Sequence, residues 1–314
     1  MKKSAGITLW SCSFYFLWTC FFSSLFLEVS APQAQARSFV KTKTPTPKLP
    51  ASPKRGVPAE IKSVVIVILE NTGFDEAMKD PVLTTYTQKG ALLANYYAVS
   101  HPSQPNYLAL ISGTTHGIRS DSKVDLNGQH LGDLLATRQL TWKTYAEGYP
   151  GNCFLGHKSA DGYARKHNPW ISFKNVQDGP LCQQIQSSDQ FDLDVEKKAL
   201  PAVSLYIPNM QNDGHDTSLE YATTWLQRRF GKFLEDPSFM SSTLLMVTFD
   251  EDRYDNENHI YAVLLGAGVK PGTVSQRRYN HYSTLATIEK IFALPNLGQE
   301  DAGAPVIQDV WNLL

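Results

Sequence analysis

Past its first 36 residues the chain has no long apolar run and only two of its four cysteines, Cys153 and Cys182. No CxxC spacing occurs, which removes the commonest cysteine metal sites. Neither sign of charge predominates: 29 Lys and Arg stand against 30 Asp and Glu, a net charge of −1. A nearly neutral chain has no electrostatic footprint for nucleic acid or for an anionic membrane surface. No internal repeat is evident, and no second break in composition follows Ile61. The expected organisation is therefore one folded domain over 61–314.

What precedes that domain is patterned differently. Lys2 and Lys3 open an apolar stretch from about Ile7 to Leu27, and Ala34-Gln35-Ala36 offers a small-x-small cleavage site. Residues 1–36 read as an export signal cleaved after Ala36, with retention as a membrane anchor as the alternative. Residues 37–60 are rich in Pro, Lys and Thr without apolar periodicity, the composition of a flexible linker. The expected destination is secreted or periplasmic, with no stable membrane insertion after cleavage. In such a compartment Cys153 and Cys182 are expected to pair, worth roughly 3–4 kcal/mol on a chain-entropy account. Two free buried thiols are the alternative.

Strand-like and helix-like segments alternate along the domain. Strands are expected at about 62–69, 91–99, 142–146, 203–207, 243–249 and 260–265. Helices are expected at about 103–113, 131–138, 217–234 and 282–292. This alternation predicts an α/β fold with a mainly parallel sheet. Ligands bind outside the carboxyl ends of the strands in such sheets. Glu70 and Asn71 follow the apolar run Ser63-Val64-Val65-Ile66-Val67-Ile68-Leu69, and Asp250 and Glu251 follow Leu244-Leu245-Met246-Val247-Thr248-Phe249. Two buried strands thus deliver oxygen ligands to one sheet edge.

The run His101-Pro102-Ser103-Gln104-Pro105-Asn106-Tyr107 places a hydroxyl at a helix start, because Pro105 suits a first turn and Gly113 suits a helix end. Such a serine is ordinarily a helix cap. It is a nucleophile if a cation lowers its pKa. Asn106, three residues on, is a candidate donor to a phosphate oxygen, alongside the free amides of the helix start.

These segments, with Asn212-Asp213-Gly214-His215-Asp216 and Tyr279-Asn280-His281-Tyr282-Ser283, stand in the order seen in the phosphoesterase family of acid phosphatases and bacterial phospholipases C. The chain resembles that family, part of the alkaline phosphatase superfamily, from about residue 61 to its end. The resemblance implies an alkaline-phosphatase-like α/β/α sandwich. It implies a metal held by Glu70, Asn71, Ser103, Asp250 and Glu251, with Ser103 as the nucleophile of a phosphoserine intermediate. Ser103-x-Pro105-Asn106 followed by Thr115-His116-Gly117-Ile118 is also similar to nucleotide pyrophosphatases/phosphodiesterases. Sulfatases need Arg four residues after the nucleophile, where this chain has Tyr107.

The remaining polar groups divide by position. Asp213, His215 and His281 are candidates for proton transfer to the leaving group, or for phosphate or second-metal contact. His101 and His167 are candidate substrate-binding residues. An oxygen-rich donor set favours Ca²⁺, Mg²⁺ or Mn²⁺, with Zn²⁺ less suited. Two-zinc relatives in the superfamily place His after the second acidic ligand, where Glu251 stands here. The expected function is an exported metal-dependent phosphatase acting on a small phosphate monoester. The alternatives are a phospholipase C or other phosphodiesterase, and a metal-stabilised binding protein without catalysis. The sequence is silent on oligomeric state.

Overall fold

The computed structural model describes residues 56–254 and 257–312. The export segment and all but the last five positions of the linker lie outside them. Packing reaches back to Val57, which is buried in the hydrophobic core.

Among the described residues nine strands form one sheet: β1 (Ser63–Leu69), β2 (Ala91–Tyr97), β3 (Trp142–Ala146), β4 (Ile185–Ser187), β5 (Val203–Ile207), β6 (Thr243–Phe249), β7 (His259–Ile260), β8 (Ala262–Gly266) and β9 (Thr273–Asn280). Their order is β4-β3-β5-β1-β6-β8-β2-β7, with β9 also paired to β2. The first five in that order are mutually parallel. β8 runs antiparallel to both β6 and β2, while β9 lies parallel to β2. The fold is a mixed α/β sheet of mostly parallel strands, as the alternation predicts.

Central position follows from composition. β1 is a continuous run of β-branched and aliphatic side chains, and all of it is buried, as are β5 and β6. A strand buried on both faces needs cover on both faces. Two groups of helices provide it. The helix Ser103–Ser112 packs on the last helix, His281–Ile291, and the helix Pro81–Lys89 packs on Leu219–Leu234.

Most boundaries fall within two residues of expectation. β9 is absent from the sequence reading because its exposed Gln276, Arg277 and Arg278 break any apolar alternation. Pairing with β2, rather than burial, holds it in place. β9 ends at Asn280, whose side chain accepts the Ser283 amide and so starts the last helix with His281. Gly113 ends the serine helix at φ 70° as expected. A side chain at Gly113 would also collide with Asp301, since a Cβ there lies 2.3 Å from Oδ1. Cys153 and Cys182 are joined in a disulfide with Cα atoms 5.3 Å apart. No helix among the described residues is long and apolar enough to cross a membrane.

Candidate active site

The site is built by strand register. Leu69 of β1 pairs with Phe249 of β6, so Glu70 and Asp250 leave the sheet side by side. β5 flanks β1 on the other side and leads to Asp213, whose carbonyl accepts the Glu70 amide at 2.9 Å. Residues more than a hundred positions apart therefore converge on one edge. Glu70, Asp213, Asp250 and Glu251 are all buried there.

Ser103 opens its helix but does not cap it. Pro102 holds the cap position, and the Ser103 hydroxyl donates to Glu70 Oε2 at 3.0 Å. The Lys166 ammonium donates to the same hydroxyl at 3.3 Å. Lys166 also pairs with Asp121 at 3.0 Å and approaches His215 Nε2 at 3.2 Å. Burial opposes the lysine charge, but Glu70 and Asp121 outweigh it and hold its pKa above the ordinary value. Tyr107, one helical turn past Ser103, donates to Glu70 Oε1 at 2.6 Å and stacks on His167 at 5.1 Å.

His167 sits between two carboxylates. Its Nε2 lies 3.2 Å from Glu70 Oε1 and its Nδ1 lies 3.3 Å from Asp213 Oδ2. Burial would lower its pKa, but Glu70 and Asp213 prevail and raise it to about 9. Burial would likewise raise Glu70, but His167, Lys166 and the Tyr107 hydroxyl bring it to about 2. Asp213 and Asp250 are both raised, chiefly by burial. Glu251 is pushed up to about 8 by burial and by Glu70.

This donor set fits a divalent cation. Glu70, His167 and Asp213 offer ligand atoms within 4.8 Å of one another. Three buried atoms of the cluster, His167 Nε2, Asp213 Oδ2 and Asp250 Oδ2, have no well-aligned hydrogen bond. Buried polar atoms are otherwise almost always satisfied, and crowded carboxylates are what a cation relieves. The cluster overlaps the expected metal set at Glu70 and extends it to His167, expected on substrate, and Asp213, expected in proton transfer. The turn Arg165–His167 brings His167 in from a long loop, which sequence spacing does not reveal.

The other expected residues fall into distinct places. Asn71 adopts φ 51°, its amide donates to Asp250 Oδ1 at 3.1 Å, and its side chain reaches Glu70 Oε2 at 3.4 Å. His101 bridges Glu251 at 2.7 Å and Asp252 at 3.2 Å, and stacks on Tyr254. It props the acidic loop beside the site. His215 is partly exposed, with Nδ1 on Asp216 at 2.8 Å.

Two of the expected residues are engaged elsewhere. Asn106 was expected to hold a phosphate oxygen, but its amide donates to the Ser100 and Pro102 carbonyls and accepts from the Val99 and Ser100 amides. Its donors are consumed in fixing the turn that aims Ser103. Nor is the helix start free for a phosphate at Gln104, whose amide is taken by Asp121 at 2.9 Å. His281 was expected to transfer a proton or touch phosphate. Its Nε2 lies 2.8 Å from the Asp250 carbonyl and its Nδ1 lies 3.2 Å from the Tyr96 hydroxyl, so neither nitrogen is available. Burial lowers its pKa to about 4.

Lys166, Tyr107 and Asp121 were absent from the sequence-derived set. Tyr107 carried a signal, since the fourth residue after a helix-start serine shares its face. Lys166 stood beside His167 in a basic run that resembles ordinary solvated loop.

A probable acid phosphatase of Kluyveromyces lactis is 38% identical over 268 residues, 81% of this chain and 63% of that protein. An acid phosphatase of Aspergillus fumigatus is 35% identical, over 78% of this chain and 58% of its own length. The chain thus spans about three-fifths of these fungal relatives. A phosphatidylinositol-3-phosphatase of Mycobacterium tuberculosis is 36% identical over 79% of this chain and 82% of that protein. Among solved structures, an alkaline phosphatase superfamily protein from Vibrio parahaemolyticus aligns with a TM-score of 0.56 at 15% identity, covering 83% of this chain and 76% of that one. That likeness bears on the fold alone. The family model for the phosphoesterase family matches residues 76–295, most of the folded part, and with the relatives' identity this shows that the chain belongs to the phosphoesterase family.

Proposed function

We propose that the protein is an exported, metal-dependent phosphatase that hydrolyses phosphate monoesters through a phosphoserine at Ser103. One observation carries the reading: a buried serine hydroxyl that ignores its own helix and instead points at a carboxylate within a ring of ligand-grade side chains. The acid phosphatase names of the relatives support its phosphatase part. The domain proper is assigned to 61–314, preceded by an export signal and linker, and the Cys153–Cys182 disulfide suits an oxidising compartment.

Glu70, His167 and Asp213, with Asn71, Asp250 and Glu251 adjoining, are the residues that would hold a divalent cation. When bound, the cation supplies Lewis-acid polarisation and neutralises charge at the phosphoryl group. Ca²⁺, Mg²⁺ and Mn²⁺ suit the carboxylates, and His167 admits Zn²⁺.

The chain's own residues do the rest. The Ser103 Oγ–H bond is aligned on Glu70 Oε2, so the proton leaves along it as the oxygen attacks phosphorus in line. The bond from phosphorus to the ester oxygen breaks, and His215 gives the departing alkoxide its proton. Asp216 at Nδ1 orients that imidazole. In the second half, His215 takes a proton from water as water attacks the phosphoserine, and Ser103 Oγ leaves and regains its proton. Asn106 and Tyr107 keep the serine and Glu70 in position.

The test is acid quenching during turnover, followed by mass analysis of the peptide that contains Ser103. A phosphoryl adduct there, abolished in Ser103→Ala with folding intact, is the expected result. Ser103→Ala should lose at least about a thousandfold in kcat. Near-normal turnover by that variant would remove the nucleophile. A phospholipase C remains the nearest alternative, and a side-by-side assay of a phosphate monoester and phosphatidylcholine separates the two.

A further inference from the structure

The ring around Ser103 is built from four carboxyl groups. Glu70, Asp213, Asp250 and Glu251 all crowd the place where a phosphoryl group must sit. Against this stands one built-in ammonium that touches the serine oxygen. Lys166 Nζ lies 3.3 Å from Ser103 Oγ, with its side chain only 15% exposed. Asp121 anchors it. Asp121 Oδ2 accepts from it at 3.0 Å, and the other oxygen of Asp121 accepts the Gln104 amide at 2.9 Å. His215 Nε2 lies 3.2 Å from the ammonium, so the proton donor proposed for the leaving group stands beside it. The lysine is therefore tied through Asp121 to the very helix turn that carries the serine. A surface lysine with a single ion pair would show no such register.

We propose that Lys166 grips a nonbridging oxygen of the phosphoryl group beside Ser103 and selects dianionic monoesters over monoanionic diesters. The inference rests on the phosphatase reading above and adds the residue that sets its substrate class. A monoester presents two negative charges to this acidic ring and a diester presents one. A fixed cation at the reacting oxygen recovers more for the dianion, in a site where water is sparse. A diester also needs room for a second substituent on the oxygen that Lys166 would occupy.

The experiment compares p-nitrophenyl phosphate with bis(p-nitrophenyl) phosphate, using the metal-supplemented enzyme. Lys166→Met should lower kcat/KM for the monoester about a hundredfold and change the diester less than about fivefold, in line with loss of one oriented charge stabiliser. Inhibition by inorganic phosphate, which needs no diester turnover, should weaken at least about tenfold. Lys166→Arg should restore part of the monoester rate, since it keeps the charge with different geometry. Asp121→Asn keeps the lysine and the amide acceptor but loosens the anchor, so it should shift the same ratio in the same direction by less. That variant carries the test if Lys166→Met does not fold. Equal losses on both esters, or unchanged phosphate inhibition, would overturn the selectivity role while leaving the phosphatase intact. A wild-type enzyme that hydrolyses neither ester would instead overturn the phosphatase reading and this inference with it.

Discussion

Two buried histidines in this protein are equally shielded from water, yet one is held cationic and the other neutral. His167 and His281 are each 1% exposed. His167 lies between Glu70 and Asp213 and is raised to about 9. His281 lies between a backbone carbonyl and a tyrosine hydroxyl and is lowered to about 4. Burial pushes both toward neutrality; only neighbouring carboxylates reverse it. The contrast extends to their surroundings. At the sheet edge His167 and Glu70 sustain each other's charge, whereas on the last helix Glu289 is also kept neutral, raised to about 8 by burial and by Asp301. The edge is a place for ions and the last helix is its dry support.

The largest effect should come from breaking the charged side. His167→Leu leaves Glu70 and Asp213 without their counter-charge, which should cost about 3–5 kcal/mol in urea unfolding of the metal-free protein. Wild-type protein should lose thermal stability on chelation and regain it with a divalent ion, by an amount set by ion concentration over affinity. In His167→Leu that response should shrink or vanish. A wild-type melting temperature indifferent to chelator would leave the sheet edge a salt-bridge network and nothing more.

How much of this contrast was legible in the sequence varies by element. The strands β1, β5 and β6 were plain, because residues buried on both faces must be apolar throughout, and the two acidic pairs follow those strands directly. The convergence of Glu70, Ser103 and Asp250 follows from parallel strands and a switch at their carboxyl ends. The roles of the histidines were not legible. His281 follows a polar strand and precedes a helix, which suggests an exposed ligand; its burial depends on β9 pairing with β2, a strand without an apolar pattern. Asn106 suggested a phosphate donor by its spacing from Ser103, but the turn at 99–102 bends back over it and takes its hydrogen bonds. Lys166 arrives from a long loop, where position depends on tertiary contacts alone.

The dry side should break more gently. His281→Gln removes one ring and strains two hydrogen bonds, to the Asp250 carbonyl and the Tyr96 hydroxyl, for a loss of about 1–3 kcal/mol. Because neither ring nitrogen faces the serine, kcat should stay within about tenfold of wild type, and KM should scarcely change. A collapse of kcat comparable to that of Ser103→Ala, at temperatures where the variant remains folded, would return His281 to proton transfer and erase the distinction between the two histidines.

The last effect is one of pH. Glu289 is 4% exposed, one carboxyl oxygen has no hydrogen-bond partner, and the group faces Asp301. In the unfolded chain it ionises near 4.5, whereas folding raises it to about 8. Between these values the native state holds a proton that the unfolded state releases. The contribution of Glu289 to stability is therefore complete below about pH 4.5 and is lost as pH rises through about 8. Glu289→Gln keeps the shape and a donor toward Asp301 but cannot ionise. At pH 5 the variant should match wild type within about 0.5 kcal/mol. From there to pH 8.5 the wild type should lose ground steadily while the variant does not, as read from melting temperatures across the range. Parallel pH curves for the two proteins would mean that Glu289 is ionised in the fold after all, held by water or by a shift of Asp301, and that the last helix is less dry than the pairing with His281 implies.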